Sequence, residues 1–308
     1  MRLVFMATGE IAEPTFEAAL ASHFEVLGLV TQPDRPVGKK QILTSPRVKE
    51  LALAAGIPVI QPEKISEEAA LAQIRKWQPE IIVVVAYGQI LSQSLIEIPS
   101  RAIINLHASL LPKYRGASCI QAALRNGDTK TGWSVIHVVK KLDAGNIIHQ
   151  KPISILDGET GGELHDRLAK NGPAALLEAL GSFENGDIPG EEHDEGFQSY
   201  VPKLERRDGI IDWTKPAEEL ERLIRAYHPW PGTTGFLGGK RLKIFPPVKV
   251  GKGNGEPGAY LGLAGKGLEI SCGQGSLILG EVQLEGSRRM TGEGFARGRE
   301  QSLAKGLE

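Results

Sequence analysis

Two apolar runs in the middle of the chain most constrain its fold. Ile81-Ile82-Val83-Val84-Val85-Ala86-Tyr87-Gly88 and Arg101-Ala102-Ile103-Ile104 are short, rich in β-branched residues, and end where polar or glycine residues begin. Runs of that length read as strands buried on both faces, and such strands belong to parallel sheets covered by helices. Polar residues arrive where the second run ends, at Asn105 and His107, and a loop punctuated by proline and glycine follows. Open α/β sheets place ligands at the carboxyl ends of their strands, so this loop is the first place to look for chemistry.

The N-terminal part fits the same class. Arg2 to Met6 reads as a strand, Ala7-Thr8-Gly9-Glu10 as a turn, Pro14 to Ser22 as a helix and Glu25 to Thr31 as a second strand. That order opens a doubly wound, mostly parallel α/β domain. The first turn has one glycine where a dinucleotide fingerprint needs three, so no nicotinamide cofactor is expected. A proline- and glycine-rich loop, Gln32 to Lys40, then carries Arg35, Lys39 and Lys40, with Arg47 beyond it. Such a loop inside a compact domain is functional or disordered; as a plain charge run it is only a solvated surface. Helices are expected over Val48–Ala55, Ser66–Trp77, Ala117–Arg125 and Thr160–Phe183, and strands over Thr131–Val138 and Asn146–Ile153.

With 308 residues the chain suits two domains. Expected boundaries are a catalytic domain over 1–188, a polar linker over 189–208 and a small β-domain over 209–308. After the helix Glu218–Tyr227, about five short strands with glycine at the turns suggest a partly open barrel of OB type. Residues 201–308 hold 17 Lys and Arg against 13 Asp and Glu, while residues 1–200 hold 19 against 24. The basic surplus is either ordinary scatter or a face that meets a polyanion. No apolar stretch approaches a membrane span. The two cysteines, Cys119 and Cys272, form no metal or redox motif, and the start shows no signal-peptide pattern. A reducing, cytoplasmic setting is expected. Leu307-Glu308 is treated as a cloning remnant without structural weight.

Asn105, His107 and a later Asp143 offer no nucleophile of their own. Ser109 lies nearby but has no second base in sequence reach, and a metal site would need more nitrogen or sulfur ligands. Asn105 and His107 can donate hydrogen bonds to a developing oxyanion, the usual demand of acyl transfer. Asp143 can pair with His107, favour its protonated form and help take a proton from an attacking amine. A lone histidine near a strand end is also often structural, and placement alone leaves both readings open.

The residues also carry a resemblance. Asn105-Leu106-His107-Ala108-Ser109-Leu110-Leu111-Pro112, followed by Tyr114-Arg115-Gly116-Ala117, resembles the signature of the folate-dependent formyltransferases. Leu142-Asp143-Ala144-Gly145 resembles that family's second block. Within the family, the nearest resemblance is to the members acting on methionyl-tRNA, over nearly the whole chain. Thr31-Gln32-Pro33-Asp34-Arg35-Pro36, Ile211-Asp212-Trp213 and His228-Pro229-Trp230-Pro231-Gly232 are among its other matching blocks.

The resemblance implies a formyl group passed from 10-formyltetrahydrofolate to methionyl initiator tRNA, with no metal. It implies that Asn105 binds the formyl oxygen, that protonated His107 stabilises the oxyanion, and that Asp143 holds His107 and assists proton transfer. Ser109, Leu110, Leu111 and Pro112 would line the folate site, with the backbone around Gln89, Ile90 and Leu91 meeting the pterin. Arg35, Lys39, Lys40 and Arg47 would reach the tRNA acceptor end, and the C-terminal barrel its backbone, in a monomeric enzyme without a membrane partner. Four stretches depart from the family pattern. The first turn reads Ala7-Thr8-Gly9-Glu10-Ile11 where the family has Gly-Thr-Pro with a following Phe, which alters the methionine-side pocket. Gly38-Lys39-Lys40 replaces Gly-Arg-Gly, keeping charge but losing a bidentate fork. Lys141 replaces a glycine, and Cys119 replaces a proline and reads as a small buried residue. Two rivals share the motifs: a formyltransferase acting on a nucleotide-linked amino sugar, and a non-catalytic RNA- or folate-binding protein on the same fold.

Overall fold

The computed structural model describes residues 1–38, 40–186 and 190–308, and for residue 195 the backbone alone. In chain order the first strands are β1 (Arg2–Ala7), β2 (Glu25–Val30), β3 (Arg35–Val37), β4 (Ile42–Thr44), β5 (Val59–Ile60) and β6 (Ile81–Val85). They continue with β7 (Ala102–His107), β8 (Arg115–Gly116), β9 (Lys130–His137), β10 (Ile147–Ser154) and β11 (Tyr200–Val201). The helices are α1 (Glu13–Leu20), α2 (Arg47–Ala54), α3 (Glu68–Trp77), α4 (Gln93–Ile96), α5 (Cys119–Arg125), α6 (Gly161–Glu184), α7 (Ala217–Ala226), α8 (Gly292–Ala296) and α9 (Glu300–Leu303). Strands β12 (Thr233–Leu237), β13 (Lys240–Gly251), β14 (Tyr260–Ala264), β15 (Gly267–Ser271), β16 (Ser276–Leu284) and β17 (Met290–Thr291) follow.

Seven strands form the first sheet, in the order β10-β9-β7-β6-β1-β2-β5. The pairs β1–β2, β1–β6, β6–β7 and β2–β5 are parallel, and β7–β9 is antiparallel. Every residue of β6 is buried, as its uninterrupted apolar run requires of a central strand. One face of the sheet packs Val4, Met6, Ile82 and Val84 against Leu71 and Ile74 of α3. Chain order reverses across β1, so the carboxyl ends of β1, β6 and β7 open on the side where such sheets bind ligands.

Two compact units result. The first comprises 1–116, 131–153 and 165–201; the second comprises 117–130, 154–164 and 202–308. The segment expected as a linker, 189–208, is therefore divided at residue 201, with its described earlier part folded into the first unit. The loop expected over Gln32–Lys40 holds a short hairpin, β3 with β4.

In the second unit the antiparallel order is β12-β13-β16-β15-β14, with β17 beside β16, as expected of a small barrel. Its core gathers Leu220 and Ile224 of α7 with Leu242, Ile244, Leu268, Leu277 and Leu279. The last residues carry weight that their sequence does not announce. Glu308 exchanges both backbone hydrogen bonds with Phe236 of β12, at 2.7 and 2.9 Å. Leu307 N donates at 2.7 Å to the carbonyl of Gly258, just before β14, and its side chain is buried in the core. Glu308 thus pairs with the edge strand β12, and Leu307 ties it to Gly258, two residues before β14. Among the described residues, no helix is long and apolar enough to cross a membrane.

Candidate active site

Strand β7 carries Asn105 and His107 two residues apart, so both side chains leave the same face of the strand. The His107 side chain is 6% exposed. Its Nε2 lies 2.8 Å from the carbonyl oxygen of Tyr114, and a carbonyl only accepts, so Nε2 donates. Nδ1 faces Asp143 Oδ2 at 3.6 Å. A ring protonated on both nitrogens can therefore donate in both directions, whereas the neutral ring serves only one of them.

Asp143 is nine-tenths buried and receives several donors. Its Oδ2 accepts from the Gly116 amide at 2.8 Å, and its Oδ1 from Asn105 Nδ2 at 3.4 Å. Two close approaches fix this arrangement. A Cβ at Gly145 would stand 1.8 Å from the carbonyl oxygen of His137, so the Leu142–Gly145 turn can lie on the end of β9 only with glycine there. Gly116 has φ +105°, and a Cβ there would meet the Val201 carbonyl at 2.3 Å. Burial pushes the His137 imidazole below its ordinary value, so the histidine under the turn stays neutral at pH 7. A buried carboxylate, an amide donor and an imidazole thus converge without a nucleophile. Cys119 is buried, and burial pushes the Cys272 thiol up to about 11.

The loop after His107 divides its residues by role. Ser109 is fully buried, and its hydroxyl donates to the Lys113 carbonyl at 2.7 Å. Ser134 Oγ donates to the Ser109 carbonyl at 2.7 Å and accepts from the Leu111 amide at 3.0 Å. Gln150 Nε2 donates to the Leu111 carbonyl at 3.0 Å. Ser109 and buried Leu111 therefore turn inward, while Leu110 and Pro112 keep partly exposed surfaces. Gln89 is a brace: its Oε1 accepts from the Ile65 amide at 2.7 Å and its Nε2 donates to the Glu63 carbonyl at 3.2 Å. Leu91 packs on the core, and Ile90 is 92% exposed. Among the described residues, the backbone groups of residues 88–91 make no hydrogen bond to other backbone groups.

The four basic residues expected at the tRNA fare differently. Arg35 pairs with Glu63 at 2.8 Å and Arg47 with Glu13 at 3.2 Å, all at or near the surface. Lys40 is exposed, and Lys39 lies outside the described residues. Asp34 anchors the base of the hairpin. It accepts from Gln61 Nε2 at 2.7 Å, from Lys49 Nζ at 2.8 Å and from Ser45 Oγ at 3.0 Å. The Gln61 hydrogen bond, followed by those of Lys49 and Ser45, holds its carboxyl down at about 2. Sequence reasoning misses this anchor, and it misses His193, Gln198 and Ser199, which reach the catalytic loops from the supposed linker. A run such as Glu191-Glu192-His193-Asp194 carries no periodic signal that could show it. Among the described residues, no group of three or more His, Cys, Asp or Glu side chains is placed to hold a metal ion.

Comparison with known proteins places this chain in a family. Residues 1–180 match the formyl transferase family and residues 203–300 match the formyl transferase C-terminal domain. A methionyl-tRNA formyltransferase of Akkermansia muciniphila is 50% identical over 296 residues, covering 94% of each chain. Among solved structures, WlaRD, a sugar 3N-formyl transferase determined with dTDP and 5-N-formyl-THF, superimposes with a TM-score of 0.67 at 16% identity. That match covers 94% of this chain and 99% of WlaRD. HypX from Aquifex aeolicus in complex with tetrahydrofolic acid gives 0.62 at 16% identity, over 97% of this chain and only 47% of HypX. At those identities the two structures speak for the fold alone, while the curated relative speaks for more. The chain belongs to the formyl transferase family, on the branch of the methionyl-tRNA formyltransferases.

Proposed function

We propose that this chain transfers a formyl group from 10-formyltetrahydrofolate to the α-amine of methionine on initiator tRNA, yielding formylmethionyl-tRNA for translation initiation. The observation that carries the reading is the convergence of Asn105, His107 and Asp143 at the carboxyl end of β7. The donor supplies the formyl carbon, and the backbone of residues 88–91, with exposed apolar Ile90 among them, suits a flat heterocycle rich in donors and acceptors. Asn105 Nδ2 has a second hydrogen beyond the one directed at Asp143 and donates it to the formyl oxygen as negative charge develops there, and the protonated His107 ring beside it stabilises that charge. Asp143 keeps His107 oriented and takes the proton that the attacking amine must lose, while the departing folate nitrogen gains one. Passing an acyl group between two nitrogens changes no oxidation state, so the reading involves no nicotinamide. Polarisation of the formyl oxygen falls to Asn105 and His107 rather than to a metal.

In this reading Arg35, Lys39, Lys40 and Arg47 meet the acceptor end of the tRNA. The basic surplus of residues 201–308 meets its phosphates, and the enzyme works as a monomer in the cytoplasm. The test mixes purified protein and 10-formyltetrahydrofolate with either methionine-charged initiator tRNA or a nucleotide-linked amino sugar and follows formyl transfer. Transfer to the tRNA alone is expected. Transfer to the sugar alone would keep the chemistry and overturn the substrate.

A further inference from the structure

We propose that residues 190–201 are a strap that positions the two catalytic loops, with His193 as its central positioning residue. The inference rests on the catalytic reading above and adds a residue to it.

The strap touches the Asp143 turn first. Glu191 and Ile147 exchange backbone hydrogen bonds at 2.8 and 2.9 Å, and Asn146 Nδ2 donates to the Gly190 carbonyl at 3.1 Å. The strap then reaches the loop after His107. The Arg115 amide donates to the Ser199 carbonyl at 2.8 Å and the Tyr114 amide to Ser199 Oγ at 2.9 Å. Parallel pairing of β11 with β8 completes that contact. The Tyr114 carbonyl holds His107, and the Gly116 amide holds Asp143. Each end of the strap therefore grips backbone close in sequence to a group that holds, or belongs to, the catalytic constellation.

His193 joins both ends through one ring. Its Nε2 lies 2.7 Å from the Gly145 carbonyl, and its Nδ1 lies 3.0 Å from Arg115 Nη2. The carbonyl accepts and the guanidinium donates, so the ring must carry its hydrogen on Nε2 and offer a lone pair at Nδ1. In that tautomer it ties the turn bearing Asp143 to the loop bearing Gly116. Arg115 is buried and fixed on its other side, where Nη1 donates to Gln198 Oε1 at 2.7 Å. Displacements of about 1 Å in such a constellation cost on the order of 100-fold in rate, so a link of this kind bears directly on turnover.

On the full chain, His193→Ala should lower kcat for formyl transfer by about 10- to 100-fold. It should leave KM for both substrates little changed and speed amide hydrogen exchange at residues 143–147. His193→Gln keeps a donor for the Gly145 carbonyl and should restore most of the turnover and the protection. If the alanine variant fails to fold, His193→Asn keeps an acceptor for Arg115 where Nδ1 stood, but its short amide does not reach the Gly145 carbonyl as Nε2 does, and it should show the same losses. Unchanged exchange at 143–147, unchanged kcat, or an effect confined to KM would overturn the inference. A wild-type chain inactive on methionyl-tRNA would overturn the proposed function instead, and the exchange measurement would still decide the strap.

Discussion

The loop after His107, with the Asp143 turn it meets, and the β3–β4 hairpin are both connections of one sheet, following β7 and β2, and they are built in opposite ways. In the first, polar groups are committed to neighbours: Ser109 to Lys113, His107 to Tyr114 and Asp143, Asp143 to Gly116 and Asn105. In the second, Val37, Ile42 and Leu43 stand 56%, 61% and 66% exposed, and Arg35 makes a surface ion pair of the kind worth little in water. Asp34 holds the hairpin at its base. Chemistry on a developing charge needs donors fixed before the reaction, whereas a surface that meets a large partner can leave its apolar residues to be covered on binding.

That contrast can be broken most sharply at Asp143. Asp143→Asn leaves a side chain of nearly the same shape without the charge facing His107, and kcat should fall by about 100- to 1,000-fold. Steady-state kinetics should show little change in KM; a loss confined to KM would make the loop a binding element instead. A smaller effect is expected from the hairpin itself. Replacing Lys39 and Lys40 by alanine should weaken use of charged tRNA and flatten its salt dependence, by roughly 0.7–0.9 in logarithmic slope for each phosphate no longer neutralised. An unchanged slope would remove the loop from the RNA interface.

The smallest effect is at the hairpin's base. The Asp34 carboxyl titrates lower in the folded protein than in the unfolded chain, so its stabilisation is present above about pH 4 and is lost as pH falls toward about 2. Asp34→Asn should therefore reduce stability at neutral pH and bring less additional loss between pH 4 and 2 than wild type. Denaturant midpoints at the two pH values measure it, and equal acid sensitivity in both proteins would deny Asp34 its anchoring role.

The same comparison explains what can be read in the sequence. The strands β6 and β7 announce themselves through apolar runs, and Asn105, His107 and Asp143 stand in contiguous blocks, so the centre of the site is legible. The hairpin reads only as a basic loop, because three-residue strands with exposed side chains leave no alternating pattern. The strap over 190–201 reads as part of a linker for a related reason. Its grip comes from backbone pairing and a few polar side chains, between segments 44 to 85 residues apart, and such contacts need no hydrophobic periodicity. Leu307-Glu308 is too short to carry a pattern, yet it links β12 to Gly258, two residues before β14. Segments 117–130 and 154–164 join the second unit although sequence order sets them inside the first domain. Chain order is a poor guide wherever a fold is assembled from discontinuous pieces.

The most direct test of the account is formyl transfer by His107→Ala, measured alongside binding of methionyl-tRNA to the same protein. The account predicts turnover lower by about 100- to 1,000-fold with tRNA affinity nearly unchanged, because His107 is buried at the end of β7 and is not part of the exposed basic loop. Normal turnover, or turnover lost together with tRNA binding, would contradict it.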